Sequence, residues 1–252
     1  MYTTDLAPII LFVYNRPEHT RLCLKALKAN ELADKSIMYI YSDGAKEKKD
    51  INKNNLINEV RKLIASEKWC MEVKIIERNR NYGLSKNIIN GVSYVINKHG
   101  NAIILEDDIV PEKGFLRYMN DGLEKYKNED KVGCIHAWNY FFKKRTFKNS
   151  TFFLRGGDCW GWATWEKSWT LFNANGKSLL SKINKQNLNY TFDREGTHFF
   201  TDMLKHQIDK KNDSWAIRWH ASLFLEGKLC LYPSRPIVKN MGLDNSGIHS
   251  KK

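Results

Sequence analysis

What most constrains this chain is a series of short apolar runs, each separated from the next by a stretch with helical character. Residues 7–14 (APIILFVY), 37–41 (IMYIY), 73–76 (VKII), 102–105 (AIIL) and 132–137 (VGCIHA) are short and dominated by apolar side chains. Runs of that kind mark strands buried on both faces. Between them, residues 19–29, 55–66, 86–98 and 114–128 read as helices, several with an apolar stripe at helical spacing. Strands alternating with helices of this length predict βαβ units and a parallel sheet. The expected fold class is therefore α/β, a mostly parallel central sheet with helices on both faces. At 252 residues the chain is long enough to bury a sizeable core.

The fourth run leads directly into Glu106-Asp107-Asp108, then Ile109 and Pro111. Three neighbouring carboxylates repel one another and raise each other's pKa. A divalent cation relieves that repulsion, and a diphosphate needs the same partner. In isolation the residues also read as a strand ending in a solvated acidic turn. Their neighbours argue otherwise. Arg16 follows the first predicted strand and Asp43 the second, and parallel sheets bind ligands at the carboxyl ends of their strands. These five residues can thus face one crevice. Neither a P-loop nor a Gly-x-Gly-x-x-Gly loop is present, so a metal rather than a glycine-rich loop is expected to meet phosphate. Lys86, at the start of the helix behind Asn81-Tyr82-Gly83-Leu84-Ser85, is placed to reach donor phosphates or to lie solvated in a first helical turn.

The formal charge of +13 calls for an anionic partner or a solvated lysine-rich surface. The basic residues are scattered, with no arginine-rich arm. Five widely spaced cysteines without a Cys-x-x-Cys suit a reducing compartment and indicate neither a zinc site nor a disulfide framework. The start of the chain shows no signal peptide and no apolar run reaches the length of a membrane span. A cytoplasmic location is expected, peripheral on the inner face of the cell membrane, where a basic surface would meet anionic lipid.

Beyond residue 140 the composition changes. Residues 152–169 (FFLRGGDCWGWATWEKSW) hold four of the eight tryptophans beside a Gly-Gly pair. Such a cluster is either a packed joint or a sugar-stacking surface, and packing is the commoner role. Residues 179–210 read as helical and polar. Asp213-Ser214-Trp215 then opens an apolar-aromatic helix reaching residue 225, with Asp213 in the position of a helix cap. Residues 228–232 form a last strand, and 242–249 a loop carrying Asp244 and His249.

The order strand-Asn-Arg-Pro, strand-Ser-Asp-Gly, Asn-Tyr-Gly-Leu-Ser, Leu-Glu-Asp-Asp and Ala-Trp-Asn resembles the Rossmann-like type A fold of nucleotide-sugar glycosyltransferases. Within it the chain is most similar to the inverting N-acetylglucosaminyltransferase I family and its short bacterial relatives. The resemblance covers most of the chain, strongest over residues 8–139. It implies a nucleotide-sugar-binding region over 1–140 and an acceptor and catalytic-base region over 141–252, in one compact domain. It also implies a manganese or magnesium ion on Asp108 bridging the donor diphosphate. Glu106 and Asp107 would contact sugar and ribose hydroxyls or neighbouring side chains, and Arg16 and Asp43 the nucleotide.

An inverting transfer needs one carboxylate to take the acceptor hydroxyl's proton. The family supplies it from an acidic pair flanked by tryptophans. Here the pair is reduced to one acid, Asp213 before Trp215, which takes the role, with Asp158 and Glu166 as rivals. His249 could be a second metal ligand, touch the diphosphate or be a mobile terminal residue. His136, in a predicted strand, reads as a core residue. The function expected is metal-dependent transfer of a hexosyl or N-acetylhexosaminyl group from a UDP-linked donor to a glycan or lipid-linked acceptor in polysaccharide biosynthesis, with no nucleic acid as partner. A nucleotidyltransferase would carry a glycine- and lysine-rich loop after the first strand, where this chain has Val13-Tyr14-Asn15-Arg16-Pro17. A basic nucleic-acid-binding module would bind in a salt-sensitive, manganese-independent way.

Overall fold

The computed structural model describes residues 6–47, 49–139 and 150–244. In chain order the elements are β1 (Ile9–Val13), α1 (Pro17–Lys28), β2 (Ile37–Ser42), α2 (Ile51–Ala65), β3 (Glu72–Glu77), α3 (Leu84–His99) and β4 (Asn101–Glu106). There follow β5 (Ile109–Pro111), α4 (Phe115–Tyr126), β6 (Val132–His136), β7 (Thr151–Arg155), β8 (Trp162–Trp165), α5 (Glu166–Trp169) and α6 (Gly176–Lys185). The chain closes with α7 (Asn189–Phe192), α8 (Phe200–Ile208), α9 (Trp215–Leu225), β9 (Leu229–Pro233) and β10 (Val238–Asn240).

The central sheet has eight strands in the order β3-β2-β1-β4-β8-β6-β9-β7. β1 pairs in parallel with both β2 and β4, and β6 with β9, while β8 runs antiparallel to β4 and β6 and β7 to β9. The α/β class with a mostly parallel sheet is as the sequence predicts. Because the chain steps outward from β1 to β3 and then returns to the other side of β1 with β4, the sheet's switch point lies between β1 and β4. The carboxyl ends of β1, β2, β4, β6 and β9 share one edge with the start of β8.

Alternating residues of each strand feed two cores, as the two-residue period of a strand requires. Ile9, Leu11, Met38, Ile40, Ile103 and Leu105 meet α1, α2 and α4 on one face. Ile10, Phe12, Tyr39, Tyr41, Ile104 and Trp162 meet α3 and α9 on the other. A third layer of α6, α7 and α8 covers the outer side of α9 through Leu179, Phe192, Leu204, Ile217 and Phe224. That layer explains why α9 is apolar nearly all round: it is buried on both sides. Full burial of such side chains contributes roughly 1.5–3 kcal/mol each.

Two expectations are corrected. Residues 179–210 are not helical throughout but fall in three helices, broken where Asn187, Arg194 and Glu195 adopt positive φ beside Gly196. The tryptophan-rich stretch contains two strands, β7 and β8, which the sequence reading left out. The packing role of its tryptophans holds: Trp162, Trp165 and Trp169 are buried, the first and last of them against Trp219. Trp160 is half-buried and meets Trp138 edge-on at 5.3 Å. Among the described residues no helix is long and apolar enough to cross a membrane.

Candidate active site at the carboxyl edge of the sheet

Arg16 sits where β1 turns into α1. Pro17 occupies the first helical turn, whose missing N–H costs nothing there. The backbone of Arg16 is fixed because its carbonyl accepts from Thr20 N at 3.0 Å and Thr20 Oγ1 at 2.9 Å. Its guanidinium crosses to the next strand, pairing with Asp107 and, at 2.9 Å, with Asp108 Oδ2. The three side chains therefore form one cluster across the switch point. Burial works against the Arg16 charge, but Asp107 and Asp108 hold its pKa above the ordinary value.

The cluster remains short of positive charge. Burial, then Asp108 and Asp107, push Glu106 up to about 8. Burial also raises Asp107, to about 6, against the pull of Arg16. Asp107 is 3% exposed and its Oδ2 has no hydrogen-bond partner. An orphaned buried carboxylate oxygen in an acid-rich cluster fits a site for a divalent cation. Among the described residues no three acidic, cysteine or histidine side chains converge on one point. A cation here would be held by one or two carboxylates and completed by phosphate oxygens and water, as magnesium-type sites commonly are. Asp107 and Asp108 are the residues that would hold it. When bound, it would offset negative charge on a diphosphate.

A late segment closes this edge. β10 pairs antiparallel with β5, immediately after the acids, and Met241 N donates to Asp108 O at 2.8 Å. His19 Nε2 lies 3.1 Å from Asp244 Oδ2, tying α1 to the same segment. His249 lies outside the described residues.

Asp43, one strand over, is buried and its carboxylate is fully engaged. Oδ1 accepts from Gly44 N at 2.9 Å and Tyr82 N at 2.8 Å, and Oδ2 from Asn81 Nδ2 at 3.1 Å and Gly83 N at 3.0 Å. Gly44 has to be glycine, since a Cβ would stand 2.5–2.7 Å from the Arg80 backbone. Asp43 is thus a clamp that fastens loop 80–83 to the end of β2. A cleft of about 430 Å³ opens on that loop, lined by Arg80, Asn81, Tyr82, Lys86 and Asn90. Arg78 stacks beneath it, over Tyr82 and Tyr41 with its carbon 4.5 Å and 5.2 Å from the ring centres. The Lys86 side chain borders this cleft at the first turn of α3.

The candidate bases separate in space. Glu166 follows Trp165, which pairs with Asn101 at the start of β4. It therefore lies at the opposite end of the strand from Glu106, roughly 17 Å away at the usual rise, and is removed as a rival. Asp158 precedes β8 near the acid edge; it accepts from Cys159 N at 2.8 Å and from Tyr232 Oη at 3.2 Å. Asp213 is 68% exposed and pairs with Arg218 Nη2 at 3.0 Å. It does not cap α9: Ser214 does, accepting from Ile217 N at 3.2 Å. The cap is the residue whose side chain reaches back over the first turn, one position later than the sequence suggests.

His136 is buried, as expected of a core residue. It also joins two strand ends, since Trp160 N donates to Nε2 and Nδ1 donates to Trp138 O, both at 3.1 Å. Sequence reading missed Arg218 and Ser85, which meet at 2.6 Å between α9 and α3. The signal was present: a lone arginine inside an apolar helix implies a buried, partnered charge.

No family model matches this sequence, and no curated protein matches it. Among solved structures, the mannosyltransferase of Pyrobaculum calidifontis in complex with GDP-Man and Mn2+ is 13% identical with a TM-score of 0.36, over 54% of this chain and 39% of that one. TarS of S. aureus in complex with UDP is 12% identical with a TM-score of 0.36, over 57% and 38%. A UDP-glucose pyrophosphorylase complexed with UDP-glucose is 10% identical with a TM-score of 0.42, over 93% and 92%. The match thus spans about two-fifths of the mannosyltransferase and of TarS. Likeness this loose carries no argument about this chain, whose reading rests on its own residues.

Proposed function

We propose that this chain is a metal-dependent, inverting glycosyltransferase of the type A fold. It would move a sugar from a nucleotide-linked donor, UDP-linked on the family resemblance, to a glycan or lipid-linked acceptor. The observation that carries this reading is the cluster at the β1/β4 switch point. There Arg16 bridges Asp107 and Asp108, and Asp107 keeps an orphaned oxygen. The position is where a parallel sheet binds ligands, and its excess of carboxylate suits a cation that would meet a diphosphate.

In this reading Arg16 and Lys86 face donor phosphates. Loop 80–83, held by Asp43, forms a wall for the nucleotide, with Tyr82 as an aromatic face. Asp107 and Asp108 would hold the cation, and Glu106 meets sugar hydroxyls or holds neighbouring side chains. Asp213 takes the acceptor's proton. Titrating labelled UDP with and without manganese tests the site. UDP is expected to bind only when manganese is present, and Asp108→Ala to weaken it at least about tenfold, or 1.4 kcal/mol, without unfolding. Manganese-independent UDP binding, or release of pyrophosphate on mixing UTP with a sugar phosphate, would overturn the assignment.

A further inference from the structure

Resting on the reading of Asp213 as base, we infer that Arg218 is its positioning residue, locking that carboxylate to the helix that borders the donor cleft. Arg218 is the only lysine or arginine of α9, in a run otherwise built for burial, and is itself 7% exposed. A guanidinium is costly to hold there unless its donors are matched. They are matched by four acceptors from three separate parts of the chain. Nε donates to Ser214 O at 3.1 Å and Nη1 to Ala174 O at 3.3 Å. Nη2 donates to Ser85 Oγ at 2.6 Å and Asp213 Oδ1 at 3.0 Å.

Ser85 lies in the first turn of α3, next to Lys86, which lines the cleft. One planar fork therefore fixes the start of α9, the turn before α6 and the start of α3 relative to one another. Lysine cannot reproduce this, because an ammonium is a point charge without the fork. An exposed aspartate would otherwise sample several rotamers. With Oδ1 held by the guanidinium, Oδ2 is the oxygen that would take the acceptor's proton. The transfer then balances: the acceptor hydroxyl gives its proton to Asp213 Oδ2, its oxygen bonds to the sugar's anomeric carbon, and the carbon–oxygen bond to the diphosphate breaks, its electron pair leaving with the nucleoside diphosphate. Misplacing a catalytic group by an ångström costs on the order of 10²-fold in rate.

The test measures kcat, donor and acceptor KM, manganese-dependent UDP binding and thermal melting for Arg218→Gln, Arg218→Lys, Ser85→Ala and Asp213→Asn. The same three substitutions at 218 and 85 are then made in the Asp213→Asn background. Arg218→Gln should lower kcat on the order of 10²-fold, Ser85→Ala less, and Arg218→Lys should recover only part. UDP binding should stay as in the parent. In the Asp213→Asn background none of them should lower turnover further, since a residue acting through Asp213 has nothing left to aim. Should Arg218→Gln unfold, Ser85→Ala in both backgrounds decides alone. Unchanged kcat in the Arg218 and Ser85 variants, or equal further losses in the Asp213→Asn background, would overturn the Arg218 role only. Full turnover in Asp213→Asn would instead remove the base, and failure of the parent protein to bind UDP would remove the donor site.

Discussion

Asp43 accepts from two donors on each carboxylate oxygen, and three of the four donors belong to loop 81–83. Removing a charged acceptor leaves buried N–H groups unmet, which costs about 1–3 kcal/mol for such a group and more where several share it. Asp43→Ala should therefore lower stability by roughly 2–4 kcal/mol. The urea midpoint should fall with little change in slope, and UDP binding should weaken because the cleft wall is released. A wild-type midpoint in Asp43→Ala would show that the loop holds itself. The residue was legible in the sequence as an acid past a strand end, but its duty was not. Sequence shows that a carboxylate lies near a crevice; only the fold shows that its lone pairs are already taken by the neighbouring loop. Glu106, Asp107 and Asp108 were more readable, because three adjacent carboxylates are unfavourable under almost any local arrangement and demand a partner. Arg16 supplies part of it from 91 residues away, a pairing that only the order of the strands creates.

α3 reaches the sheet through Gly91. A Cβ there would stand 2.8 Å from Phe12 Cε1 and Cζ and 3.1 Å from Tyr41 Cε2, on two rings stacked 5.4 Å apart. Alanine would gain back about 1 kcal/mol of helix propensity, so the informative change is valine, which gains less and clashes more. Gly91→Val should destabilise by roughly 1–3 kcal/mol, as overpacked sites do, and lift the start of α3 away from β1. A thermal melt equal to wild type would mean that the helix stands off the sheet. Elements with a simple period were readable in advance: β1, β2, β4 and α4 fall within a few residues of their expected places. β8 was not, although its four residues Trp-Ala-Thr-Trp are all buried. Its ends carry tryptophans that read as a packed joint rather than as a strand, and its antiparallel insertion between β4 and β6 has no local signal. The helical stretch over 179–210 was over-read for the opposite reason. Its polar composition suits a helix throughout, while the breaks depend on single residues taking positive φ.

At the scale of the whole molecule, β8 comes from beyond residue 140 and lies between β4 and β6, which both precede it, so the candidate donor edge and the candidate acceptor side share one sheet. Two buried histidines, His136 in β6 and His220 in α9, work against stability in acid. His220 is 5% exposed and packs among the rings of Phe192, Phe200 and Phe224. Its Nδ1 lies 2.8 Å from Gly157 O, an acceptor, so Nδ1 carries the proton and Nε2 is bare, without a partner. Burial lowers its pKa to about 4. His136 is shifted the same way by burial, and protonating its Nε2 would also break the bond from Trp160 N. The sign follows from proton counting. Between about 6.5 and about 4 the unfolded chain takes up a proton at His220 that the folded chain refuses. Unfolding is therefore favoured as pH falls through that window. A tenfold change in proton affinity is about 1.4 kcal/mol, so the loss from His220 alone is on the order of 3 kcal/mol once the window is crossed. Glu106 and Asp107, raised in the folded chain, act in the opposite sense, so urea unfolding of parent and variant at a series of pH values isolates the histidine contribution between about 6.5 and about 4 by difference. His220→Phe keeps an aromatic ring among its neighbours and removes the titration, so its curve should fall less steeply than the parent's over the same range. Parallel curves would place the acid sensitivity elsewhere.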